Sequence, residues 1–166
     1  MIKAFAALTI SLAMTAGATG AECRFENAIY TQSSGGWTLR FHPLQHHGPA
    51  NKTAEFDFEL DAGVTLTGSV YWPNGYSTPI YTIEGPCESG STEQPCSFLE
   101  GENPTVYVLT DKGIERMPEN LQGPAPRQVL LPRLRSAIWY SSYRQSEFEM
   151  EVDPGEVFSL SGCETS

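Results

Sequence analysis

The sequence predicts an all-β domain, an antiparallel β-barrel or β-sandwich of about eight strands, and three observations carry that prediction. Apolar and polar residues alternate strictly through several windows, as strands with one buried face require. Turn chemistry rich in Gly, Pro, Asn and Asp separates those windows. No stretch offers the long amphipathic helices that the crossovers of a parallel sheet need.

Taken in order, Arg24 to Thr31 is a short β-like run. From Gly36 to His42, Trp37, Leu39 and Phe41 alternate with Thr38, Arg40 and His42. Between Thr53 and Leu60 the apolar set is Ala54, Phe56, Phe58 and Leu60, and the polar set is Thr53, Glu55, Asp57 and Glu59. A helix would scatter those four apolar residues around its surface. Asp61-Ala62-Gly63 then makes a turn, and Val64, Leu66, Val70 and Trp72 continue the alternation through Gly68. Thr53 to Trp72 is therefore expected to form one β-hairpin. Shorter β-like runs follow at Ile80 to Glu84, Thr105 to Thr110 and Gln128 to Leu131. Residues 131 to 143 read in two ways: one short helix, with Pro132 in its first turn and Leu134 and Ile138 on one face, or a strand through Ile138 and Tyr140. Near the C-terminus Phe148, Met150 and Val152 alternate with three glutamates, and Asp153-Pro154-Gly155 leads into Val157 to Leu160, which suggests a second hairpin ending at Cys163.

The ends of the chain carry a different signal. Lys3, an apolar stretch from Ala4 to Met14 and small residues up to Ala21 have the order of a secretory signal peptide, and the apolar core is too short to span a bilayer. Residues 1–21 are expected to be removed, leaving 22–166 as a single disulfide-bonded β domain in the periplasm or outside the cell, with no membrane span after processing. An outer-membrane barrel is excluded by the outward faces, which would carry Glu55, Asp57, Glu59, Glu147, Glu149 and Glu151. Losing Lys3 leaves nine cationic residues against twenty acidic ones, a formal charge of −11. That field disfavours nucleic acid, repels anionic surfaces and favours cationic partners. Cys23, Cys87, Cys96 and Cys163 make an even count, which in an oxidising compartment reads as two disulfides. Of the three connectivities, Cys87–Cys96 and Cys23–Cys163 are preferred. The second closes the longer loop and is worth about 4–5 kcal/mol in the ideal chain model, against roughly 2–3 for the first.

Candidate chemistry is sparse. His42, His46 and His47 are the only histidines, and with Glu55 and Asp57 on the next strand they could bind zinc or copper if the loop folded back. Pro43 rules out the helix that would put His42 and His46 on one face. No Gly-x-Ser-x-Gly elbow occurs, and the cysteines are committed to disulfides. A hydrolase using dispersed carboxylates is the remaining enzymatic reading, and no cofactor is expected. The most uneven charge lies between Gln122 and Ser146, where Arg127, Arg133, Arg135 and Arg144 occur without any acidic residue, interleaved with Trp139, Tyr140 and Tyr143. Arginine with aromatic side chains is the composition of interface hot spots, because a guanidinium pairs hydrogen bonds and an aromatic ring buries area at small entropic cost. The same residues also fit a core with arginines answering acidic strands of the same domain.

The run Tyr107-Val108-Leu109-Thr110-Asp111-Lys112-Gly113 resembles the lysine-glycine motif of the inhibitors of c-type lysozyme, small periplasmic β-barrels with terminal cysteines. The nearest approach to that family's upstream Ser-Gly-x-x-Tyr is Ser34-Gly35-Gly36-Trp37, with tryptophan in the tyrosine position. The resemblance implies a cationic lysozyme as partner and a contact role for Lys112. By elimination, the leading expectation is a non-catalytic binding module of the cell envelope, recognising a protein or glycan through its loops or through Lys112, Arg127, Arg133, Arg135, Trp139, Tyr140 and Tyr143. A periplasmic metal-binding protein and a hydrolase stand behind it.

Overall fold

A computed structural model describes residues 23–33, 36–45, 49–60, 63–75, 77–86, 96–97, 99, 104–140 and 155–164. One short 3-10 turn, η1 (Phe25–Asn27), precedes β1 (Ala28–Thr31), β2 (Thr38–His42), β3 (Lys52–Glu59), β4 (Thr65–Tyr71) and β5 (Ile80–Gly85). Then come β6 (Cys96–Ser97), β7 (Tyr107–Thr110), β8 (Gly113–Arg116), β9 (Gln128–Leu130), helix α1 (Leu134–Trp139) and β10 (Val157–Cys163). The ten strands form one antiparallel sheet in the order β6-β5-β4-β3-β2-β1-β10-β9-β7-β8, curled into a half-barrel. Strand β5, next to one margin, meets the segment that leads into β7, next to the other. Ile80 bridges Thr105, the N–H of Tyr81 donates to the carbonyl of Pro104 (3.1 Å), and that of Val106 donates to the carbonyl of Pro79 (3.2 Å). The segment entering β7 therefore lies along β5.

The alternation read from the sequence is the alternation observed. Leu39 and Phe41 are buried between Thr38, Arg40 and His42, while Ala54, Phe56 and Phe58 are buried between Glu55, Asp57 and Glu59. The hairpin is β3–β4, with Phe58 opposite Leu66 and Phe56 opposite Gly68. Strands β6 and β8 were not anticipated. Both are short, and β8 is a return from the turn at Thr110–Gly113, where Gly113 takes φ 116°. Within 131–143, Leu134–Trp139 is a helix, not a strand, and Pro132 lies before its first turn, not within it; residues 141–143 lie outside the described residues. Its buried face is Leu134, Ala137 and Ile138, spaced i, i+3, i+4, and these residues join the hydrophobic core. Strand β10 pairs with β1 and β9; residues 147–152, expected as its hairpin partner, lie outside the described residues.

Aromatic rings fill the interior in two groups. Phe25, Tyr30, Phe41 and Phe56 stack tilted or edge-on at centroid distances of 5.0 to 5.8 Å, while Phe58 contacts both Trp37 (5.3 Å) and Phe158 (6.3 Å). Such geometries match ring edges to ring faces and add to the apolar burial. Cys23 is bonded to Cys163 across 5.7 Å between Cα atoms, so the start of the described chain is fixed to the end of β10. That bond indicates an oxidising environment. Cys96 is also disulfide-bonded, and Cys87 lies outside the described residues. Among the described residues no helix is long and apolar enough to cross a membrane.

Candidate functional site

The strand registers place several loops at one end of the half-barrel. Ala28 at the start of β1 faces Cys163 at the end of β10, and β2 ends at His42, opposite Glu55 near the start of β3. Pro43 lacks an N–H and takes the chain out of the sheet there. Across from this connection lies the stretch from Met117 to Pro126. It is held to the N-terminal segment by backbone bonds from Glu26 N–H to Leu121 O (3.0 Å), Phe25 N–H to Gly123 O (2.9 Å) and Ala125 N–H to Cys23 O (2.8 Å). The Asn120 side-chain oxygen accepts from the N–H of Gln122 at 2.8 Å and tightens the turn. Between these two walls opens a cleft of about 570 Å³.

Its lining mixes polar and apolar side chains. Glu26, His42, Gln45, Lys52, Thr53, Glu119, Asn120 and Gln122 supply the polar groups, and Pro43, Leu44, Pro49, Ala50 and Leu121 the rest. The charged residues differ in how they are answered. His42 Nε2 lies 3.0 Å from Asp57 Oδ2, and a carboxylate only accepts, so Nε2 is the donor. Lys52 Nζ donates to Glu55. Glu26 is only 19 % exposed, and its partner Arg24, at 3.4 Å, is 65 % exposed on the rim. Glu119 is exposed and makes no ion pair or hydrogen bond with its side chain among the described residues.

On the outer face next to this end, Arg40 sits between two acids. Its Nε donates to Glu59 (2.9 Å) and its Nη1 to Glu164 (3.0 Å). The bond to Glu59, then that to Glu164, holds the guanidinium even more firmly protonated than usual, against the opposing effect of partial burial. Inside, burial pushes the Tyr30 phenol well up, and its hydroxyl donates to the carbonyl of Pro126 at 3.1 Å, anchoring the loop that walls the cleft.

The residues singled out from the sequence fall in different places. Lys112 is exposed at the tip of the β7–β8 turn, its N–H bonded to the Thr110 hydroxyl at 3.1 Å. Arg127 reaches back to Asp111 of that tip at 3.2 Å. Both lie at the cleft end of the strands, since Leu109 pairs with Gln128 and Gln128 with Ser159. Arg133, Arg135, Trp139 and Tyr140 follow the other end of β9 and are exposed on or beside α1, so the structure divides the set in two. Arg133 precedes the helix in the left-handed region at φ 71°. Tyr143, His46 and His47 lie outside the described residues. His42 alone of the histidines is described, and among the described residues no group of three or more His, Cys, Asp or Glu side chains could hold a metal ion.

The cleft residues Glu26, Gln45, Glu119, Asn120 and Gln122 were not anticipated. Nothing distinguishes two glutamates among twenty acidic residues, and the amides belong to loops that approach only in the folded chain. Compared with known protein families, curated proteins and solved structures, the chain matches none.

Proposed function

We propose that this is a non-catalytic binding module of an exported protein, working in the periplasm or outside the cell, that grips a protein or glycan partner at the cleft end of the half-barrel. The observation that carries the reading is the cleft itself. One of its walls, Met117 to Pro126, is a connecting segment supported by a buried tyrosine and by three backbone hydrogen bonds to an N-terminal segment that a disulfide fixes, which is how a rigid scaffold presents a binding loop. A volume of about 570 Å³ is within the usual range for ligand sites. The basic hairpin tip at Lys112 and Arg127 stands at the same end, so a partner seated in the cleft has a second contact of opposite sign to fix its orientation.

The test is a mapped interaction. Oxidised mature protein is immobilised, envelope extract and a panel of lysozymes are passed over it, and each retained partner is re-measured against three variants. Q45A/N120A/Q122A alters the cleft, K112A/R127A the hairpin tip, and R133A/R135A/W139A the helix end. Loss confined to the cleft and hairpin variants supports the proposal, and loss on K112A alone supports an inhibitor-like contact. Retention by both with loss at the helix end moves the interface to α1 and overturns it, as does the absence of any saturable partner.

A further inference from the structure

We infer that Asn74-Gly75 is a site of spontaneous deamidation, where the chain converts one of its own asparagines to aspartate and isoaspartate through a cyclic imide. The pair lies in the connection between β4 and β5. Both residues are exposed in a turn, and Gly75 takes φ 84° with nothing within 4 Å of the place a Cβ would occupy. Among the described residues the Asn74 carboxamide makes no hydrogen bond, and neither does the Gly75 N–H. Nucleophile and electrophile are therefore both unengaged, and glycine has no side chain to screen the attacking nitrogen. That nitrogen gives up its proton and bonds to Cγ of Asn74, the Cγ–Nδ2 bond breaks, and ammonia leaves with a proton, closing a five-membered imide. Water, the only co-reactant, then opens the ring. Opening at Cγ leaves aspartate in an unchanged backbone, while opening at the main-chain carbonyl carbon leaves isoaspartate, with the backbone routed through the side chain. The attack is intramolecular, which removes the entropic cost of bringing the two groups together.

The structure separates this asparagine from the other four in the chain. Asn103 precedes Pro104, which has no N–H to lose. After Asn27, the N–H of Ala28 is bonded to the carbonyl of Phe25. After Asn51, the N–H of Lys52 donates to the carbonyl of Pro49 at 3.0 Å. The Asn120 side-chain oxygen accepts from the N–H of Gln122 at 2.8 Å, and the next residue, Leu121, is buried. The connection that carries Asn74 is held on both sides, by the bond from Trp72 N–H to Asn51 O (2.9 Å) and by the Arg116 guanidinium donating to the carbonyl of Ser77. Deamidation adds one negative charge to a chain whose formal charge is already −10. It does so at the cleft end of the strands, since Tyr71 pairs with Lys52, so partner binding there has to be measured on freshly prepared protein.

The test is a timed peptide map. Oxidised mature protein is incubated in heavy-oxygen water at mildly acidic and mildly alkaline pH, beside a synthetic peptide spanning residues 71–77. The expected result is that the fragment containing Asn74 takes up one heavy oxygen and separates into aspartate and isoaspartate forms. Conversion should be faster at the higher pH, because the attacking nitrogen has to lose its proton. It should run about tenfold or more ahead of every other asparagine. Asn74→Gln keeps the amide but needs a six-membered ring, and should slow conversion at this position about tenfold or more while the rest of the map is unchanged. Should that variant fail to fold, the comparison among asparagines in the unaltered protein decides by itself. Aspartate without isoaspartate would mean direct hydrolysis and overturn the imide route. Equal conversion at Asn27, Asn51 or Asn120 would overturn the argument from engaged groups. Asn74 left intact in the folded protein, whether or not the peptide has converted, would overturn the site.

Discussion

Gly68 is the position where a single methyl group should do most harm, and the structure sets the size of the effect. It faces inward on β4 directly opposite Phe56, and a Cβ there would lie 2.1 Å from both Cε2 and Cζ of the Phe56 ring. Carbon atoms in contact prefer about 3.5–4.0 Å, so the ring has to retreat by about 1.5 Å. It has little room, because Phe56 is fully buried and its ring packs on Phe41 at a centroid distance of 5.1 Å. Overpacking of this kind costs about 1–3 kcal/mol, and contacts this short belong to the upper part of that range. Against it, alanine gains about 0.5–1 kcal/mol over glycine in a strand by restricting the unfolded chain. Gly68→Ala should therefore lower stability by about 2 kcal/mol, measured by urea denaturation with an unchanged slope, and lower the Tm by several degrees. A cycle with Phe56→Leu isolates the cause. With the ring removed, the same glycine substitution should cost less than about 1 kcal/mol or become favourable. A neutral Gly68→Ala, or an equal cost in both backgrounds, would refute the claim that the missing side chain makes space for the ring.

Three further outcomes follow from the same packing. Replacing both Cys23 and Cys163 by serine opens a closure spanning 140 residues, for which the ideal chain model gives about 5 kcal/mol as an upper figure. A loss of about 2–5 kcal/mol in urea is expected, and under about 1 kcal/mol would show that the ends are held by other contacts. Tyr30→Phe removes the bond to Pro126 and should cost about 1 kcal/mol at neutral pH. Because burial raises the Tyr30 pKa in the folded state, its contribution is complete below the ordinary value near pH 10 and is lost as pH rises above it. The alkaline decline in stability should thus flatten in Tyr30→Phe, and an unchanged decline would contradict the assignment. Arg40→Met, although it removes two ion pairs, should cost only about 1 kcal/mol or less and be less costly in high salt, since all three partners are about a third exposed.

How much was legible can be seen residue by residue. The β3–β4 hairpin was readable because Phe56 and Phe58 alternate with Glu55 and Asp57, and alternation is a local consequence of the pleat. The helix at Leu134–Trp139 was ambiguous because six residues with three buried positions fit either period. Strand β8 was hidden because Ile114, Glu115 and Arg116 are all exposed and show no buried face. Gly68 looked like a break in an apolar pattern, when it is the counterpart of a ring twelve residues earlier.

The sequence by itself determined an acidic, cysteine-containing, antiparallel β domain, because strand patterning, charge and cysteine count act locally or additively along the chain, whereas the structure decided that Cys23 pairs with Cys163. Tertiary structure alone decided that β10 inserts between β1 and β9, that Ile80 meets Thr105, and that Glu26 faces the loop carrying Glu119. Those meetings rest on backbone hydrogen bonds between distant segments, and every non-proline residue carries the same donor and acceptor, so no side chain announces them in advance.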